Sequence, residues 1–167
     1  MKYIYFNKEL TDKNVIELIN EITENTVIYL ESIGGEITAA NIFIHFTQTT
    51  EFEITLVATW KVESSAVDMF LFSKTRKDVL GCVYGLIHTA NTTLDLKDIN
   101  RKEEMAMYHI SLIEKENAEK WNDYVEIGLS KDLYNKYYSG DDLIISVDTL
   151  KAMAEKAEKK YYYGEQS

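Results

Sequence analysis

The stretch from Ile28 to Ala40, Ile-Tyr-Leu-Glu-Ser-Ile-Gly-Gly-Glu-Ile-Thr-Ala-Ala, constrains the fold more than any other part of the chain. The run Val27 to Leu30 is apolar and branched, the signature of a buried parallel strand. Gly34 and Gly35 break it, and a helix-forming segment opens at once. A strand that passes through a Gly-Gly turn directly into a helix is the junction of a βα unit. Such a turn can also aim backbone N–H groups at an oxygen that becomes negatively charged during acyl transfer.

The same alternation recurs along the chain. Lys2 to Phe6 reads as a short strand, and Thr11 or Asp12 caps a helix carrying Val15, Ile16, Leu18, Ile19 and Ile22 at helical spacing. Thr38 to Thr47 predicts a helix, Glu53 to Thr59 a third strand, and Ser65 to Phe72 a short, very apolar helix. Val79 to Ile87 reads as a strand pair or a bent strand around Gly81 and Gly85. Repeated strand and helix predict right-handed βαβ units on a mostly parallel sheet. Beyond this, Ile99 to Trp121 predicts a long charged helix with a sparse stripe of Met105, Tyr108, Leu112 and Ile113. Ser130 and Ser146 cap two further helices, and residues 160–167 read as a frayed tail.

Residues 1–167 suffice for a single domain, which buries roughly two-thirds of its unfolded surface at this size. A formal net charge of −10 argues against nucleic acid as a partner, because phosphate contacts need clustered Lys and Arg. No run approaches the ~20 apolar residues of a membrane helix. The N-terminus turns polar too early for a signal peptide. One cysteine, Cys82, excludes an internal disulfide, fits a cytoplasmic location and reads as core. No His, Cys and carboxylate spacing suggests a metal, and no cofactor is expected.

The candidate chemistry lies in two further places. Ser64 and Ser65 stand between the third strand and the apolar helix, and His88 closes the run Leu86-Ile87-His88. A serine hydroxyl is a weak nucleophile until a base takes its proton, and an imidazole titrates near neutrality. The bland alternative is that both serines cap the helix and His88 merely ends a strand. His45 reads as partly buried on its helix and His109 as exposed.

Taken with the Gly-Gly turn, these residues resemble the Clp protease proteolytic subunit family. The matching text is Leu30 to Ala40, then Glu63-Ser64-Ser65-Ala66, then Leu86-Ile87-His88-Thr89-Ala90, ungapped from Gly35 to Ser64. The resemblance runs from Tyr3 to Ala154. It implies a Clp/crotonase-type α/β spiral with a protruding long helix. It also implies a serine peptidase acting on unfolded polypeptides or peptides, and a homo-oligomer that an ATP-driven unfoldase could feed. The site it implies has Ser64, or Ser65 after a one-residue bulge, as nucleophile and His88 as base. Gly34 and Gly35 form the oxyanion turn, with donors from Gly35 N–H and the N–H after the serine.

The chain departs from the family where the triad acid belongs. Aligning Gly140 to Asp148 with the family's closing segment puts Tyr137 or Tyr138 at that position, and a phenol stays neutral at pH 7. Asp141, and behind it Asp142, could substitute if the loop is reshaped. Otherwise Gly-Asp-Asp is turn chemistry. Trp60 and Glu63 bring bulk and charge to the approach to the serine. Two other readings therefore stay open. One is a catalytically degenerate subunit with a binding or assembly role. The other is crotonase chemistry, which shares the spiral but for which no positioned Glu pair is present.

Overall fold

A computed structural model describes residues 1–81, 83–90 and 103–164 of the chain. Cys82 and the expected start of the long helix at Ile99 lie outside these residues. The elements, in order, are β1 (Lys2–Phe6), α1 (Asp12–Glu21), β2 (Thr26–Ser32), α2 (Ile37–Thr49), β3 (Ile54–Glu63), α3 (Ser65–Phe72), β4 (Arg76–Val79) and β5 (Tyr84–Ile87). Then come α4 (Glu103–Glu126), a 3₁₀ turn (Lys131–Leu133), α5 (Tyr134–Tyr138), β6 (Leu143–Ile145), α6 (Val147–Ala157) and a closing π-helical turn (Glu158–Tyr162).

The strands form one sheet in the order β1-β2-β3-β5-β6, with β4 also on β3. Every pairing is parallel except β5 with β6. This is the mostly parallel α/β architecture that the alternating pattern predicts. Ile4, Phe6, Ile28, Leu30, Leu56 and Ala58 share the sheet face that packs on the helices, and all are buried. Caps fall where the sequence puts them. Thr11 Oγ1 accepts from Asn14 N–H at 3.2 Å, and Ser146 Oγ accepts from Thr149 N–H at 3.2 Å.

One strand differs in a way that builds the site. The third strand runs on to Glu63 instead of ending at Thr59. Its first half pairs with β2 and β4, and after a register shift between Leu30 and Ser32 its second half finds β5 as a new partner, Lys61 to Glu63 against Tyr84 to Leu86. Strand continuation here is decided by a partner distant in sequence, not by local pattern. The region around Gly81 accordingly separates two distinct strands, β4 and β5.

Helix α4 has two characters. Met107, Tyr108, Ile110 and Leu112 are exposed, whereas Trp121 and Tyr124, and Ile127 just past the helix end, are buried in the core. The tail also differs from expectation. Tyr161 stacks edge-on against Phe72, with ring centroids 5.9 Å apart, and Tyr162 accepts from Arg76 Nε at 3.3 Å. The chain is packed at least this far because these aromatic rings have a helix surface to cover. His45 is exposed rather than partly buried, and His109 is exposed.

Candidate active site

The first helical residue after β3 is Ser65, so Ser64 alone makes the strand-to-helix turn. It does so at φ 53°, ψ −130°, the one non-glycine with positive φ among the described residues. Such a conformation costs an L-residue about 1–3 kcal/mol and persists only where the surroundings over-determine it. Here they do. Ser64 N–H donates to Leu86 O on β5 at 2.7 Å, and Ser64 C=O accepts from Val67 N–H at 2.9 Å. The hydroxyl makes no capping hydrogen bond, although Ser64 stands at the cap position. It is left for the adjoining pocket.

Ser65 is used differently. It is 2% exposed, and its hydroxyl donates to Gly35 O at 3.1 Å, tying α3 to the Gly-Gly turn. The turn itself is held by Leu10. Leu10 N–H donates to Gly34 O and Glu36 N–H donates to Leu10 O, both at 2.8 Å. Gly35 O accepts from Ser65 Oγ, so this carbonyl is turned toward the start of α3. Gly34 N–H donates to Ser32 Oγ at 3.1 Å, and Ser32 Oγ donates to Lys8 O at 2.7 Å. The two glycines thus part roles. Gly34 N–H is taken up inside the turn, and Gly35 O is tied to Ser65 at the start of α3. A Cβ on Gly34 would lie 2.5 Å from Glu63 O, and one on Gly35 would lie 2.3 Å from Leu10 O. No side chain fits either place.

His88 follows β5 directly, and its Nδ1 lies 2.8 Å from Thr89 O. A carbonyl only accepts, so this contact puts the proton on Nδ1 and leaves Nε2 as the basic nitrogen. Ser64, Ser65 and His88 line one pocket, together with Asp68, Lys120 and Tyr124. Its cavity is about 20 Å³, room for a single water. Asn117 on α4 anchors the segment after His88, accepting from Ala90 N–H at 2.7 Å and donating to Ala90 O at 3.2 Å.

The expected acid is elsewhere. Asp141 lies on the exposed turn after α5, where it accepts from Ser139 Oγ at 2.8 Å, and Asp142 is exposed as well. Gly140, at φ 82°, directs this turn outward, and neither carboxylate lines the pocket. Tyr137 is wholly buried beside Trp121 and donates a long 3.5 Å hydrogen bond to Asn117 O. Burial, and then the Asp68 charge, push its hydroxyl pKa up, so it remains neutral. Trp60 and Glu63 do not line the pocket either. Trp60 is 60% exposed, and Glu63 accepts from Tyr84 O–H at 2.8 Å.

Sequence reasoning missed the carboxylate that the pocket does contain. Asp68 is 4% exposed and accepts hydrogen bonds from Lys120 Nζ and Tyr124 O–H. Burial first, and then the Asp68 charge, hold the Tyr124 hydroxyl well above the usual phenol range. The signal was present: Asp68 is the one charged residue in Ser65–Phe72, and a lone carboxylate in so apolar a helix needs a partner. Among the described residues no group of three or more His, Cys, Asp or Glu could hold a metal, and no helix is long and apolar enough to cross a membrane.

No protein-family model matches this chain, and no curated protein sequence does. Comparison with solved structures finds a likeness to a point mutant of ClpP1 from Listeria monocytogenes, with a TM-score of 0.61. The match covers 91% of this chain and 86% of that one at 18% identity. The chain therefore has a Clp-protease-like fold.

Proposed function

We propose that the chain is a serine-type peptidase resembling the Clp proteolytic subunit, acting on unfolded polypeptides or peptides. Ser64 Oγ attacks the substrate carbonyl while His88 Nε2 takes its proton. Gly35 N–H and Ser65 N–H hold the oxyanion, and the same proton then passes to the leaving amine. Water admitted to the pocket hydrolyses the acyl-enzyme by the reverse sequence. The observation that carries this reading is Ser64 itself: a strained strand-to-helix turn with an uncapped hydroxyl, in one pocket with an imidazole. Ser65 has a structural role in this reading, because its hydroxyl is buried against Gly35 O. The resemblance adds a homo-oligomer enclosing the sites and an ATP-driven unfoldase as partner. Asp141 would join the site only if the turn at Gly140 refolds.

The test is labelling by a fluorophosphonate probe, read by intact mass. Wild type takes one probe per chain, Ser64→Ala takes none, and His88→Ala reacts at least ~10³-fold more slowly. Ser65→Ala still labels, more slowly, because the tether to Gly35 is lost. Absence of labelling in well-folded wild type would overturn the peptidase reading. A second reading, a catalytically silent subunit, is favoured by buried Tyr137 at the family's acid position and by Asp141 on an exposed turn.

A further inference from the structure

The pocket holds a buried ion pair that the proposed mechanism does not use. Asp68 sits one turn into α3 from Ser64, with its carboxylate 6% exposed and bound by Lys120 Nζ and Tyr124 O–H. Lys120 and Tyr124 come from α4, so two helices meet through this carboxylate at the wall of the Ser64–His88 pocket. On its far side the pair borders a groove of about 440 Å³ that also touches Asp123 and Lys160. A buried ion pair seldom repays its own desolvation, and a well-packed apolar pair would serve packing as well. Its position invites a reason beyond packing.

We propose that Asp68 is the positioning residue for His88, in place of Asp141 and Asp142, which do not line the pocket, with Lys120 setting how much of its charge the imidazole feels. This rests on the reading of Ser64 as nucleophile. Two jobs that one carboxylate usually performs are here divided. Thr89 O fixes the tautomer by accepting from Nδ1–H. Asp68 stabilises the imidazolium across a cavity that holds about one water. The proton moves from Ser64 Oγ to His88 Nε2 and on to the leaving amine, and Asp68 takes none. Among the described residues, the other charged or titratable groups around the pocket are held by other partners or face the outer groove. Glu63 at the end of β3 is held by Tyr84, Lys120 and Tyr124 are held by Asp68, and Lys160 in the outer groove pairs with Glu126 at 2.6 Å. Asp123 faces the groove and not the pocket.

Two variants should carry signatures of opposite sign. Asp68→Asn leaves the Lys120 cation uncompensated, so neutral His88 is favoured and its titration midpoint falls. Lys120→Met leaves the Asp68 anion uncompensated, so the midpoint rises. The two midpoints should part from the wild-type value in opposite directions.

The rate of His88 acylation by diethylpyrocarbonate against pH, read peptide by peptide in the full-length protein, measures this without any need for an active serine. His45 and His109, both exposed, serve as internal references. Fluorophosphonate labelling rates of the same variants follow in parallel and should move with the same midpoints. If no variant labels but the His88 midpoints part in opposite directions, the peptidase reading fails and the coupling stands. Midpoints that stay put, or move together, overturn the inference whatever the labelling does. Asp68→Asn leaves unpaired a cation that keeps 20% side-chain exposure, whereas Lys120→Met leaves unpaired a carboxylate only 6% exposed, so Asp68→Asn folds more readily. If only that variant folds, a midpoint that fails to fall overturns the inference.

Discussion

At the scale of the residue, Ser64 keeps its strained backbone because three neighbours leave it no alternative. Leu86 binds its N–H, Val67 binds its C=O, and Gly34 lies so close that a Cβ there would sit 2.7 Å from the Ser64 Cβ. Gly34 also needs φ 84°, which a side chain disfavours. Gly34→Ala should therefore destabilise the fold by about 2 kcal/mol or more, seen as a lower urea midpoint, and abolish probe labelling. A wild-type midpoint in that variant would mean that the turn is far looser than described. Two buried tyrosines separate structural from ionic roles. The Tyr124 hydroxyl donates to a carboxylate, whereas that of Tyr137 makes one long bond to a carbonyl. Tyr124→Phe should cost about 1.5–3 kcal/mol, and Tyr137→Phe less than about 1 kcal/mol. Equal losses by chemical denaturation would contradict this assignment.

At the scale of the element, β4 shows how a short strand is anchored. Lys77 Nζ donates to Ser73 O at 2.8 Å and to Thr75 O at 3.0 Å, while Lys77 N–H donates to Glu158 Oε2 at 2.8 Å. The ammonium thus ties the end of α3 to β4, and the backbone ties β4 to the closing turn of the chain. Burial pushes the Lys77 pKa down from 10.5 to about 7, with the Glu158 charge opposing. Between pH 7 and 10.5 the unfolded chain then binds more protons at this residue than the native one. Stability from this group rises with pH across that window, and below it the full cost of the buried cation is present. Lys77→Met should flatten the rise in urea midpoint between about pH 7 and 9. A variant with the wild-type slope would sink that account.

At the scale of the whole molecule, the exposed half of α4 stands apart. Met107 is 62% exposed, Tyr108 61% and Leu112 43%, while the other half of the same helix carries core residues. Single exposed apolar residues are ordinary, but several on one helix fit a surface covered by a second copy of the chain. If the protein assembles as the proposed function holds, Met107→Glu with Leu112→Glu should lower the oligomeric state. Sedimentation velocity would read this as a shift to smaller species with circular dichroism unchanged. An unaltered sedimentation coefficient would remove α4 from any interface.

Local signals in this chain reach as far as local physics does. Branched apolar runs, the Gly-Gly turn and the serine and threonine caps define β1 and α3 at their observed bounds, the middle of β2 and the starts of α1 and α6, because the groups that satisfy them lie within a few residues. The junctions that bring Ser64 toward Gly35 are legible for the same reason. Tertiary structure decided what depends on distant partners. Strand β3 runs on to Glu63 because β5 offers hydrogen bonds, and Glu63 turns aside because Tyr84 takes it. Asp141 stays on the surface, and Asp68 is drawn into the pocket by Lys120 and Tyr124 from far along the chain. A buried carboxylate must be paired, and a sequence displays the need for a partner without naming it. Only the packing of α4 against α3 supplies the name.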